Sequence, residues 1–387
     1  MSRPTIHVVT EFRRDSKVES YWHECFHDED FHGYDVHVID GTYIGHESYL
    51  YCDTFFKSVQ LKFILDMVHR SKIKDGDIIV FANAWNFAAI PLSYFRDEFR
   101  WKIGIVGFWG DSLFNMDAPM WDRFHGNITK TFGRQMELVL FNAYDMNCFW
   151  SQRHWDLFRK KFSSLRGTKQ NKWNDEVLSK AAVTGYPFGY LAKEAKFNPE
   201  MKQNVIMFPY NLRNDLSKNL LRGLKQELTQ VEFVFAQEAA NDRMKYNTLL
   251  QDAKLMISTN RFDVNPVILY EGMLNGIVPL MPTRPFYEEV FPENYLYPDK
   301  LAFFSYGDFA GINLHRTRRQ FERIIIAEMD NYNAKLTQVG KDVKAMGKKY
   351  YSNGPFLEVL DELQDRLGSK KTRRNTVRRL TKKKKFY

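Results

Sequence analysis
The 387 residues are 44% hydrophobic, 16% aromatic and 27% charged, with 13 prolines and 21 glycines, a balance that excludes a mostly disordered chain and suits two domains. Three widely spaced cysteines exclude a disulfide framework or a cysteine-built zinc site. No apolar run approaches the ~18 residues of a membrane span. The net charge is +9, but residues 370–387 hold ten lysines and arginines and no acid, so the rest of the chain carries −1.

In chain order, short apolar runs predict buried parallel strands at Ile6–Val9, Val36–Ile39, Ile78–Phe81, Ile103–Phe108, Leu138–Phe141 and Ala181–Thr184. Longer amphipathic runs between them predict helices at Phe55–His69, Pro119–Phe132 and Asp145–Phe162. After a Pro- and Gly-containing linker at Tyr186–Met201 the alternation restarts. Its strands are Val205–Phe208, Glu232–Phe235, Leu255–Ser258 and Val278–Met281, and its helices Ser217–Leu228, Met244–Ala253 and Pro266–Asn275. A helical region from about Arg316 to Leu367, broken at Ser352–Pro355, closes the body. The expected class is α/β: two Rossmann-like doubly wound domains facing a cleft, with ligands at the carboxyl ends of the strands. The expected divisions are residues 1–188, 200–345, a helix over 346–368 and a disordered basic tail over 369–387.

Three features of the second half suit a phosphorylated ligand. In FPYNLRNDLSKN (208–219), Arg213 and Lys218 lie five apart across a loop that enters a helix, where two cations and backbone N–H groups match a diphosphate. In RFDVNPVILYEGMLNGIVPLMP (261–282), Asp263 precedes a helix and Glu271 lies eight residues on, about two turns inside it. The N–H groups of Asn265, Val267 and Ile268 are then placed to meet an anion. A carboxylate inside the apolar run VILYEGML needs a polar partner, and ribose hydroxyls are good ones; a lone Glu there would be a solvent-facing acid. The third feature is Gly276 with Pro279, which also reads simply as a helix stop.

The order Arg-x4-Lys, acid-x7-Glu, Gly-x2-Pro resembles the donor half of GT-B nucleotide-sugar glycosyltransferases, in the retaining group related to glycogen and sucrose synthases. PTRPFYEEVFPENYLY (282–297) resembles a segment of viral and tRNA-modifying members, and VTGYPFG (183–189) their interdomain strand and hinge. The resemblance covers about residues 180–300, and the first half by topology alone. It implies that Arg213 and Lys218 hold the diphosphate, Glu271 the ribose, and Asp263 the sugar hydroxyls. Asp263 stands where the family usually has Glu, so its shorter reach bears on sugar choice. The implied donor is a nucleoside diphosphate sugar, UDP-glucose by default, with no obligatory metal.

In the first half, KIGIVGFWGDSLFN (102–115) places Asp111 at the carboxyl end of a strand, where it can act as base toward an acceptor hydroxyl or orient it; it can equally cap a helix. Gly110 stands where many relatives carry His, and DNA-glucosylating phage enzymes use an Asp in a similar place. All eight tryptophans fall between Trp22 and Trp173, and Trp85 and Trp109 are expected at strand ends facing the cleft. His23-Glu24-Cys25-Phe26-His27 has the zincin spacing, but Asp30 and Gly33 break the metzincin extension, so a protease is not expected.

The basic tail suits a polyanion, with Lys370, Lys371, Arg373, Arg374, Arg378, Arg379, Lys382, Lys383, Lys384 and Lys385 as its contacts. With the resemblance it points to sugar transfer onto a hydroxymethylated pyrimidine of DNA, the base flipped from its stack. A tRNA base or a glycan is the alternative acceptor. A nucleic-acid-binding module on an inactive transferase fold is the contrasting class. A short apolar N-terminal stretch predicts no signal peptide. The expected location is the cytoplasm, that of an infected host cell if the protein is viral.

Overall fold
The computed structural model describes residues 4–10, 17–39, 60–110, 112, 127–165, 178–209, 215–236, 243–259, 266–301 and 314–368. They fall into two compact units. One runs to Phe188 and takes up the chain again from Ser352; the other is Gly189–Tyr351.

The first unit contains β1 (Thr5–Val9), α1 (Lys17–Cys25), β2 (Asp35–Ile39), α2 (60–69), β3 (Ile78–Phe81), α3 (Ala89–Phe99) and β4 (Gly104–Trp109). It continues with α4 (Asn127–Ala143), β5 (Met146–Phe149), α5 (Gln152–Leu165) and β6 (Ala181–Val183). All strand pairs are parallel, in the order β2-β1-β3-β4-β5-β6. β3, β4 and β5 are buried along their whole length, as expected of central strands covered on both faces.

One strand differs from the sequence expectation. Leu138–Phe141 lies inside α4, and the fifth strand is Met146–Phe149, within the stretch expected as helix 145–162. A four-residue apolar run has the same appearance in a buried strand and on a helix. The true strand was concealed by Asn147, whose buried amide takes the Trp109 indole N–H at 2.8 Å and donates to the Phe141 carbonyl at 3.0 Å.

The second unit contains α6 (Tyr190–Glu194), β7 (Gln203–Phe208), α7 (Asp215–Glu227), β8 (Glu232–Phe235), α8 (Arg243–Asp252) and β9 (Ala253–Ile257). α9 (Val267–Leu274), β10 (Val278–Pro282), α10 (Pro285–Val290), β11 (Leu296–Tyr297), α11 (Leu314–Asp330) and α12 (Tyr332–Tyr350) follow. Its parallel sheet has the order β11-β10-β9-β7-β8. The helical region beyond 314 breaks at Asn331 as well as near Ser352.

The last helix, α13 (Gly354–Gly368), packs on the first unit. Gly104 makes room for it, since a Cβ there would come within 2.5 Å of Leu363 Cδ2. Tyr34 donates to Asp361, Asn353 Nδ2 to Asp30 at 2.9 Å, and Gln364 Nε2 to the Gly76 carbonyl at 2.5 Å. No helix among the described residues is long and apolar enough to cross a membrane.

Candidate functional site
Each sheet has a point where adjacent parallel strands send their connections in opposite directions, and crevices open there in doubly wound folds. In the second unit that point lies between β7 and β9. β7 ends at Phe208, five residues before Arg213, and β9 at Ile257, six before Asp263. Arg213, Asp263 and Asn265 lie outside the described residues, and so does the side chain of Lys218, which falls in the first turn of α7.

α9 is described in full. Leu269 and Tyr270 both donate their N–H to the Pro266 carbonyl, at 3.0 and 3.1 Å, so intrahelical bonding begins there. The N–H groups of Val267 and Ile268 precede that first turn, the position where a helix offers donors to an anion. Packing fixes the rotation of the helix. Tyr270 stacks on Tyr351 with ring centroids 4.0 Å apart, and Gly272 sits against Met256 of β9, where a Cβ would meet the thioether methyl at 2.7 Å.

Glu271 is thereby turned into the wall of a cavity of about 470 Å³ and is only 3% exposed. Asn247, Thr248 and Gln251 of α8 share that wall, with Lys196 and Asn275. Asn275 closes the end of α9: its Nδ2 donates to the Glu271 carbonyl at 2.9 Å and its Oδ1 accepts from the Lys196 N–H at 3.3 Å. A carboxylate, amides and a hydroxyl around one cavity can hold a ligand rich in hydroxyl groups.

In the first unit the switch lies between β1 and β3. Gln60 bridges the two strand ends, donating to the Thr10 carbonyl at 2.6 Å and accepting from Asn86 Nδ2 at 2.9 Å. Asp111 lies outside the described residues, but its neighbour Ser112 is fully buried. Ser112 Oγ donates to one oxygen of Glu137 at 3.0 Å, and the Trp85 indole donates to the other at 2.7 Å. Glu137 has no solvent exposure, and the sequence reading missed it. Its signal is the one that singled out Glu271, a carboxylate in an apolar run (MELVLF), but a strand assignment for the same run concealed it.

Trp85 and Trp109 are not the open platforms expected. Both are buried, and Trp109 stacks on Phe149 with the rings 6° from parallel. At strand ends flanked by Phe141 and Phe158 these large side chains fill the core. The zincin-like motif is divided by structure: α1 ends at Cys25, so His23 is helical and buried while His27 is past the helix and exposed. Among the described residues no group of three or more His, Cys, Asp or Glu side chains is placed to hold a metal ion. The basic tail from Lys370 onward lies outside the described residues.

No protein-family model and no curated protein sequence matches the chain. Solved structures do. The catalytic domain of starch synthase IV from Arabidopsis thaliana, bound to ADP and acarbose, aligns at 10% identity over 95% of this chain and 99% of that one, with a TM-score of 0.55. Sucrose-phosphate synthase from Thermosynechococcus elongatus aligns at 10% identity over 94% and 99%, also with a TM-score of 0.55. The pneumococcal O-GlcNAc transferase GtfA, in complex with UDP and GlcNAc, aligns at 8% identity over 79% of this chain, with a TM-score of 0.51. The chain spans 60% of that transferase's length. At such identities the likeness is one of architecture, and the architecture is the two-unit Rossmann-like fold of GT-B glycosyltransferases.

Proposed function
We propose that the chain is a glycosyltransferase that takes a sugar from a nucleoside diphosphate sugar and passes it to a hydroxymethylated pyrimidine base in DNA. The observation that carries the donor half is the buried Glu271 in the second turn of α9, lining a cavity with Asn247, Thr248 and Gln251 of α8. In this reading Glu271 accepts from the ribose hydroxyls, and the first N–H groups of α9, at Val267 and Ile268, meet the diphosphate. Arg213 and Lys218 supply the compensating charge as the diphosphate leaves, the Asn265 N–H joins those of Val267 and Ile268 on the diphosphate, and Asp263 contacts the sugar hydroxyls. UDP-glucose is the default donor. The similarity to structures solved with UDP or ADP supports the donor class.

The acceptor half rests on charge. Ten cations in 370–387, against a body of net charge −1, suit a phosphodiester backbone. Asp111, which precedes Ser112 in the sequence, serves as base or orienting group for the acceptor hydroxyl. A glycan acceptor is the second reading, favoured by the acarbose in the starch synthase structure.

Release of nucleoside diphosphate, measured over a panel of nucleotide sugars with plain and 5-hydroxymethylated DNA, tests the proposal. Release that requires hydroxymethylated DNA is the expected result. Release that ignores DNA but responds to oligosaccharides would transfer the assignment to the glycan reading. Deleting 370–387 is expected to weaken DNA binding equally for unrelated sequences, because phosphate contacts carry no base code.

A further inference from the structure
α11 divides its cations between two faces. Arg318 faces inward: its Nη2 pairs with Glu227 of α7 at 2.7 Å, and it lies so close to Gly223 that a Cβ there would meet the guanidinium at 2.6 Å. Phe321 and Ile325, at 1% and 0% exposure, continue that buried face. The helix is therefore locked in rotation, and the opposite face is fixed outward. His315, Arg316, Arg319 and Arg323 are exposed there and, with Gln320, line an open groove of about 360 Å³.

This outward arrangement works against the helix. Arg316 and Arg319, and Arg319 and Arg323, are three and four residues apart, the spacings at which like charges repel. His315 and Arg316 occupy the first turn, which holds no acid, where the helix dipole disfavours cations. The one acid of residues 314–323, Glu322, interacts with both Arg318 and Arg319, so the groove face keeps an excess of positive charge that an anion from outside complements. Arg316 to Arg323 spans roughly 10 Å of helix axis, enough to meet about three consecutive phosphates of one strand. The groove face is lined by His315, Arg316, Arg319, Gln320 and Arg323, with Ile326 the one exposed large apolar side chain of α11 among the described residues, whereas a membrane-surface helix would present a continuous apolar face to the lipid.

We propose that this face of α11 binds the phosphodiester backbone of a nucleic acid. It is a second contact surface, built on the folded body rather than on the basic tail. The inference shares with the proposed function only the class of acceptor and is independent of the donor chemistry.

The test uses the full chain and fluorescence anisotropy with a labelled DNA duplex across a salt series. The double variant Arg319→Gln, Arg323→Gln is compared with Lys341→Gln, Lys344→Gln, which removes equal charge from exposed positions of α12. The arginine variant is expected to lower the slope of log K against log salt by about 1.8 and to weaken binding on the order of tenfold near 0.1 M salt, equally for unrelated sequences. The lysine variant is expected to stay near wild type. Equal losses in the two variants, or no loss in the arginine variant, would overturn the assignment of this face while leaving the tail as the DNA contact. A wild-type chain that ignores DNA at low salt but binds phosphatidylserine vesicles would overturn both this inference and the DNA acceptor. Donor-dependent nucleotide release, measured separately, would then still decide the transferase reading.

Discussion
The indole of Trp85 donates to the carboxylate of Glu137 at 2.7 Å, linking the segment that leaves β3 to the middle of α4. Ser112, just past β4, donates to the other oxygen of the same carboxylate, so one buried acid ties together the exits of two central strands. Such a network is expensive to break, because each donor left behind is buried without its partner. Glu137→Ala is expected to lower stability by about 2–4 kcal/mol, from the cavity and the two stranded donors. Calorimetric unfolding checks this, and a change below about 0.5 kcal/mol would mean that the network contributes nothing to the fold.

Gly107 and Tyr144 set a second test in the same sheet. A Cβ on Gly107 would lie 2.6 Å from the Tyr144 ring. The ring has nowhere to move: it is fully buried, and its hydroxyl is anchored on the Ala84 carbonyl at 2.8 Å. Gly107→Ala is therefore expected to destabilise by about 1–3 kcal/mol through overpacking. The double variant Gly107→Ala, Tyr144→Leu is expected to recover part of that loss in chemical denaturation, which separates the steric cause from a backbone one.

Most of the architecture was legible because parallel strands buried on both faces leave unbroken apolar runs. Ile78–Phe81 and Glu232–Phe235 were read with their observed ends. The fifth strand was not legible, because its buried Asn147 interrupts the apolar signal and is satisfied only by tertiary partners. Glu271 stood out as a carboxylate in an apolar helix, and the structure places it against a polar cavity. Glu137 was equally visible in principle but was lost with the wrong element assignment. The tryptophans could not be divided into core and surface from sequence, since an indole at a strand end is compatible with either. Neither could the two faces of α11 be told apart before the Arg318–Glu227 pair fixed its rotation.

Lys202 makes stability depend on pH. It lies just before β7, largely buried, and its ammonium donates to the Leu250 carbonyl at 2.5 Å. Burial pushes its pKa down to about 7, with Asp252 opposing the shift. The unfolded chain, with an ordinary lysine, binds more protons than the folded one between pH 7 and about 10.5, so stability rises with pH across that window and is lowest below it. Lys202→Met is expected to flatten the rise and to stabilise the protein at pH 7 by about 1–3 kcal/mol. Thermal melts of both proteins from pH 6 to 10 give the answer; parallel curves would show that the lysine is solvated.

Glu271→Gln separates binding from folding. The amide preserves the size of the side chain in the wall of the cavity and removes the charge. UDP affinity, measured by calorimetry on the full chain, is expected to fall at least about tenfold, or about 1.4 kcal/mol, while the melting temperature stays close to wild type. Unchanged affinity would take Glu271 out of the donor site.

Sugar transfer onto DNA leaves a covalently modified nucleoside. Its most direct test is mass analysis of nucleosides from 5-hydroxymethylated DNA incubated with the full chain and a panel of nucleotide sugars. The expected product is a hydroxymethylpyrimidine nucleoside carrying one sugar, formed with one donor of the panel and absent with plain DNA. Unmodified nucleosides with every donor, together with no nucleotide release, would contradict it.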